Sequence, residues 1–183
     1  RLQQGTALTY TTAPFKRRMS IAGPIAATLY ARSDRPDSST IVTLQDVAPN
    51  GRSAPLTGGQ LLGSFRATKP RRAWRLGGRL VAPYHPFTKA SRRPMATGEV
   101  ERLDMEVLPV LASIAPGHRL RLTITTNLTP ILMPPPAEFA DLIGGTTSYQ
   151  RSARHPSRVN LPLIPSARLR TSDQSWGACA SSC

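Results

Sequence analysis

Acidic residues are scarce in this chain of 183 residues. Ten Asp and Glu stand against 24 Lys and Arg, a formal net charge of +14 at pH 7. Such an excess sets up a positive potential that attracts nucleic acid, anionic lipid or acidic substrates. Only Lys16, Lys69 and Lys89 are lysines, however, and the arginines run scattered from Arg1 to Arg170, so the charge reads first as compositional bias. Cysteine is nearly missing. Cys179 and Cys183 both fall within the last five residues, which excludes a disulfide framework or zinc ribbon in the body of the fold. Their spacing supplies at most two metal ligands. Aromatic residues, at 5%, leave few platforms for stacking on sugars or bases. Long hydrophobic runs are also lacking: the most apolar stretch, Ile21 to Ala31, is broken by Gly23 and Pro24. That is far short of the ~18 residues of a membrane-spanning helix, so no membrane span is expected. The chain opens on Arg1, and we expect it to be an excerpt of a longer polypeptide.

What is present is punctuation and alternation. With 18 Pro and 13 Gly the apolar segments stay short, and most repeat with period two. In Arg119 to Thr126 the apolar positions Leu120, Leu122 and Ile124 alternate with Arg119, Arg121, Thr123 and Thr125, so one face turns inward. Leu103, Met105 and Val107 repeat the pattern against Asp104 and Glu106. Further strands are predicted over 25–31, 40–47, 60–66 and 159–164. Turn chemistry separates them at Arg35-Pro36-Asp37, Pro49-Asn50-Gly51, Thr57-Gly58-Gly59 and Pro116-Gly117. One short helix is predicted near 137–143, started by Pro134 to Pro136 and stopped by Gly144-Gly145. The expected class is all-β, a sandwich or jelly roll. At this length a domain buries roughly 70% of the surface its unfolded chain exposes, enough for a core without staples. Residues 1–165 form the expected domain, and 166–183, which lose the alternation, read as a tail.

The densest basic stretch is Arg66, Lys69, Arg71, Arg72, Arg75 and Arg79 around Trp74. Such a cluster can clamp phosphates while the indole stacks on a base, but Pro70 and Gly77-Gly78 mark it as a solvated loop. His118 opens the best strand, where its ring is placed to satisfy buried backbone groups. A triad of His118 with Asp104 and a serine needs a geometry that no spacing here fixes. His85, between Tyr84 and Pro86-Phe87, reads as a packed loop anchor facing a neighbouring domain, and His155 as the start of the final strand. Three isolated histidines make no metal site. Glu99, Glu101, Asp104 and Glu106 form the one acidic cluster. Arg119 and Arg121 are the expected partners of Asp104 and Glu106 if the two strands pair, at ~0.2 to 1 kcal/mol per pair. No Gly-x-Ser-x-Gly elbow occurs, so the sequence offers no catalytic nucleophile of that kind.

Ordered blocks of sequence carry a more specific signal. Leu8-Thr9-Tyr10-Thr11-Thr12-Ala13-Pro14-Phe15, then Ile21-Ala22-Gly23-Pro24-Ile25-Ala26-Ala27-Thr28-Leu29-Tyr30-Ala31, resemble the C-terminal domain of the X-prolyl dipeptidyl-peptidase and cocaine esterase family. Asp46-Val47-Ala48-Pro49-Asn50-Gly51-Arg52-Ser53, Pro83-Tyr84-His85-Pro86-Phe87-Thr88, Gly98-Glu99-Val100, Pro116-Gly117-His118-Arg119-Leu120-Arg121-Leu122 and His155-Pro156-Ser157-Arg158 are similar to later family blocks in the same order. Ile114 departs from the pattern where an aromatic is expected, and Lys69 to Arg79 is an unusually basic, insertion-like segment. The resemblance implies a jelly-roll β-sandwich of galactose-binding type that follows an α/β-hydrolase domain and packs on it near the active-site entrance. It implies that the triad lies in that upstream domain, so no catalytic, cofactor-binding or metal residue is assigned to this chain. The partner it implies is the hydrolase domain of the same polypeptide; a homo-oligomer stays open and nucleic acid is disfavoured. The isolated domain is then expected to expose an apolar patch larger than a monomer's usual few hundred Å². The competing readings are a carbohydrate-binding module using Trp74, Tyr84 or Trp176, and a basic nucleic-acid binder using Arg66 to Arg79.

Overall fold

The computed structural model describes residues 7–126, 139–142 and 144–169. Its strands are β1 (Leu8–Thr11), β2 (Met19–Ser33), β3 (Ser39–Val47), β4 (Ser53–Leu62), β5 (Trp74–Leu76), β6 (Arg79–Ala82), β7 (Val100–Ile114), β8 (Arg119–Thr125), β9 (Thr147–Gln150), β10 (Arg158–Asn160) and β11 (Leu163–Pro165), with one short helix, α1 (Phe139–Leu142). All pairings are antiparallel. One sheet runs β1-β8-β3-β4; the other is built on β2, and β5-β6 form a separate ribbon. β7 pairs with β2 along nearly its whole length, and β9, β10 and β11 share its other edge at successive heights. The protein is an all-β sandwich.

Alternation places the core where the sequence predicted it. Ile21, Ile25, Ala27, Leu29 and Ala31 of β2 and Leu103, Met105, Val107 and Ile114 of β7 face Val42, Leu44, Leu61, Leu120 and Ile124 of the opposite sheet, and all are buried. Ile114, where an aromatic was expected, is fully enclosed in this cluster. β2 passes through Gly23-Pro24 without ending because β7 sets two residues, Leu108 and Pro109, against Pro24. Gly23 takes φ +123° there, a value that an L side chain rarely adopts.

Several expectations are corrected. β7 and β8 do not pair: the Pro116-Gly117 turn carries the chain from one sheet to the other. Thr28 and Ala26, not Arg119 and Arg121, therefore stand opposite Asp104 and Glu106. The strand predicted over 60–66 begins at Ser53 and ends at Leu62, where a 3-10 turn, Gly63–Phe65, takes over. The strand predicted over 159–164 is two, split at Leu161-Pro162 because each half pairs with a different stretch of β2. Of the helix predicted near 137–143, the structure shows 139–142; 137, 138 and 143 lie outside the described residues. Within the predicted tail, Ser166 donates its backbone N–H to Arg18 and shares a 2.7 Å hydroxyl hydrogen bond with Ser20, while 170–183 lie outside the described residues.

The basic insertion is partly structured. Ala26 and Thr28 point away from the sandwich core yet are fully buried, because β6 packs on β2 from outside. Leu80 is buried there, and its carbonyl accepts a 2.7 Å hydrogen bond from the Asn160 side chain.

Tyr149 closes one end of the core, its hydroxyl 3.0 Å from that of Thr40. Burial pushes its pKa from 10.0 up to about 12, partly offset by the Thr40 hydrogen bond. A raised pKa favours the neutral phenol in the folded state. Its stabilising contribution is whole below pH 10 and is lost as pH rises toward 12. In a spectrophotometric titration Tyr149 is expected to ionise above the usual phenol value of 10.0, toward about 12, with unfolding accompanying it. Removal of the late step by Tyr149→Phe checks the assignment, and an unchanged curve would refute it.

Candidate docking surface

The 34 residues from Gly63 to Ala96 leave the end of β4, form the outer ribbon and return to β7. Beside Asn160, which holds the ribbon at Leu80, Asp37, Arg66 and His85 anchor this excursion. Asp37, buried, accepts the backbone N–H groups of Ser38 and Ser64, both at 2.8 Å. Arg66 grips Glu101 through Nε at 3.0 Å and Nη2 at 2.8 Å, and donates through Nη1 to the carbonyls of Gly63 and Arg93. His85 is buried: Nδ1 faces the carbonyl oxygens of Phe65 and Ala67 at 3.0 and 3.2 Å, and Nε2 faces that of Asp104 at 2.7 Å. All three partners are main-chain carbonyls, so the ring ties three separate stretches of backbone together, its own, that of Phe65 to Ala67, and β7.

These anchors present Phe87. Its φ of +47° is a left-handed value that is exceptional for a bulky residue. Such a conformation persists only where the surroundings impose it. The ring stands beside His85 and Phe65, with centroids 5.3 and 6.0 Å away, and is still 61% exposed. It forms one rim of a groove of about 480 Å³ whose walls include Gly58, Gly59, Tyr84, Glu106 and Leu108. Leu108, put out of the regular register at Pro24, is 64% exposed, and Leu111, farther along β7, is 78% exposed. The groove follows the seam where β4 of one sheet meets β7 of the other. Gly59 allows that meeting, since a Cβ there would strike the Glu106 carbonyl. Thr57 Oγ1 donates to the Leu108 carbonyl at 2.7 Å and closes the seam.

The residues singled out in the sequence do not gather into a reactive centre. His118 Nδ1 lies 2.9 Å from both Asp46 carboxylate oxygens, which ties β8 to β3 and replaces both the backbone role expected of it and a pairing with Asp104. Asp104 instead accepts from Thr28 Oγ1 at 2.7 Å and from Arg102. Glu101 belongs to Arg66, and Glu106 lines the groove. His155 sits in the turn before β10, its ring 5.3 Å from Tyr30. His85 is the anchor expected, but it lies beneath the surface; Phe87 is the residue that faces outward. Arg72 lies 3.9 Å over the Tyr84 ring, occupying a face that a sugar would need. Trp176, Cys179 and Cys183 lie outside the described residues. Among the described residues no three His, Cys, Asp or Glu side chains are grouped to hold a metal.

The surface is thus largely apolar, rimmed by Phe87 and Leu108. Residues 1–160 match the family described as the X-Pro dipeptidyl-peptidase C-terminal non-catalytic domain. This chain belongs to that family. Two proteins named as candidate serine esterases, from Mycobacterium bovis and Mycobacterium tuberculosis, are 34% identical to it over 168 residues. The match takes in 88% of this chain but only 24% of each relative, so the family domain seen here spans about a quarter of their length. Among solved structures, a CocE/NonD family hydrolase from Staphylococcus aureus superposes with a TM-score of 0.68 at 13% identity, over 86% of this chain and 30% of that one. An α-amino acid ester hydrolase gives 0.66 at 20% identity, over 88% and 26%. An aminopeptidase from a marine sediment archaeon, Thaumarchaeota archaeon, gives 0.65 at 18%, over 89% and 26%. At these identities the superpositions show the shared fold of the non-catalytic domain.

Proposed function

We propose that this chain is the accessory β-sandwich of a serine hydrolase acting on esters, acyl groups or X-Pro peptides. It packs on an α/β-hydrolase-type catalytic domain of the same polypeptide and shapes the entrance for substrate. The observation that carries this reading is membership of a family of non-catalytic C-terminal domains, matched from residue 1 to 160. The chain's small share of its relatives leaves ample length for a catalytic domain. The groove of Phe87 and Leu108, continued by Leu111, is the face that such a domain covers. Large apolar side chains gathered on one seam mark an interaction surface. An aromatic held rigidly at its rim is a residue type enriched at interfaces.

Two measurements test the reading. Intact mass and peptide mapping of the native gene product, after labelling with a fluorophosphonate, are expected to place the labelled serine upstream of this segment. A native product consisting of this chain alone would overturn the proposal. In the full-length protein, Phe87→Ser with Leu108→Ser is expected to change the sandwich's own stability by less than about 1 kcal/mol, since both side chains are exposed. It is also expected to free the sandwich for early proteolytic release and to lower kcat/KM. Unchanged release and activity would place the interface elsewhere.

A further inference from the structure

The groove leaves one exposed feature unused. From Val47 to Gly98 the chain contains no Asp or Glu, and from Lys69 to Arg93 it carries eight Lys and Arg. Only Arg92 of these eight has an ion pair among the described residues, a loose one of 3.7 Å to Asp141. In the middle of this segment the β5–β6 ribbon lies on the outside of the sandwich, held down by Leu80 on its inner side. Its other side presents Trp74, 69% exposed, and Leu76, 74% exposed. The tip is Gly77-Gly78, both at positive φ, +55° and +76°, as a tight two-residue hairpin requires. No side chain at the tip stands between the flanking residues and whatever they meet.

We propose that this ribbon docks on an anionic lipid surface, Trp74 and Leu76 entering the headgroup layer while Arg71 and Arg79, the latter paired with Leu76 across the ribbon, engage lipid phosphates. Charge complementarity commits the site to an anionic partner, since a segment of eight cations and no anions repels any basic one. The apolar pair decides which anionic partner. Indole rings favour the boundary between headgroup and acyl chain, and shallow apolar insertion combined with a basic patch supplies the two signals that stable surface binding needs. A nucleic acid backbone would use the arginines but has no use for Leu76. The proposal stands on residues outside the Phe87 and Leu108 pair and does not depend on the hydrolase reading.

The test is co-sedimentation of the full-length native protein with phosphatidylcholine vesicles, with and without about one-third phosphatidylglycerol. Binding is expected only with the anionic lipid, weakening as salt rises. Trp74→Ser with Leu76→Ser keeps the net charge and is expected to lower affinity ~tenfold or more. Arg71→Gln with Arg79→Gln is expected to do the same while leaving the apolar pair intact. An unchanged thermal midpoint in both variants shows that the fold survives. No binding to the anionic vesicles overturns the proposal, as does wild-type binding by the Trp74, Leu76 variant. Retardation of a labelled oligonucleotide, unchanged in that variant and without vesicle binding, would assign the ribbon to nucleic acid instead.

Discussion

Gly59→Ala is expected to destabilise the protein by ~3 kcal/mol, the upper end of ordinary overpacking costs. The added methyl strikes the Glu106 carbonyl and lies 3.0 Å from its carbon and 3.1 Å from Val107 Cα. Every obstacle is main chain of β7, itself fixed by pairing with β2, so no rotamer change relieves the contact. β4 must retreat from the seam, uncovering Leu61 and opening the groove from within. Gly63 provides the contrast. A Cβ there meets the sulfur and Cγ of Met95, the far end of a flexible side chain. Gly63→Ala is therefore expected to be partly rescued by adding Met95→Ala, whereas nothing at a side chain rescues Gly59→Ala. Denaturant midpoints of the three variants decide this. A Gly59→Ala protein within about 0.5 kcal/mol of the parent, the range of a neutral surface change, would show that the two sheets do not meet as described.

The second large effect concerns His85. His85→Leu retains most of the volume but leaves the carbonyls of Phe65, Ala67 and Asp104 without the ring's hydrogen bonds. Buried polar groups left unpaired cost about 1–3 kcal/mol each, and because some can reach water in the variant we expect a total of ~2–3 kcal/mol. The loss is local in its form. The segment bearing Phe87 is released from β7, so limited proteolysis between Phe87 and Pro94 is expected to accelerate before the core opens. Equal cleavage rates in parent and variant would show that the hydrogen bonds of His85 do not secure the excursion.

Much of this architecture is legible in the sequence because the physics is local. Period-two alternation marks Leu103, Met105, Val107, Leu120 and Ile124 as inward residues, and they are buried. The ordered blocks of family resemblance carry the non-catalytic assignment that periodicity alone could not reach. What escapes is whatever depends on distant residues. The Pro116-Gly117 turn looks like a hairpin, yet the sandwich sends its two arms into different sheets. The Asp46 partner of His118 is 72 residues away, with no spacing rule to announce it. Nothing near Ala26 and Thr28 in the sequence foretells the ribbon laid over them. Phe87 carries no mark of its positive φ; only the neighbouring Thr88 and Ser91, which cap a 3-10 turn, hint at a tightly specified loop. The docking groove went unread for that reason, since it is made by β4, β7 and the returning loop together.

The arrangement around β2 bears on how the chain is made. β1 and β2 hydrogen-bond only to strands that come much later, β8 for the first and β7, β9, β10 and β11 for the second. Non-local pairing of this kind is slow because loop closure must precede any reward. On the ribosome, the two leading strands must emerge and wait unpaired until Ile114 and beyond have been translated. During that interval the apolar face of β2 is open to chaperones or to other nascent chains. The order of synthesis thus makes one of the two longest strands of the finished sandwich its most vulnerable stretch at birth.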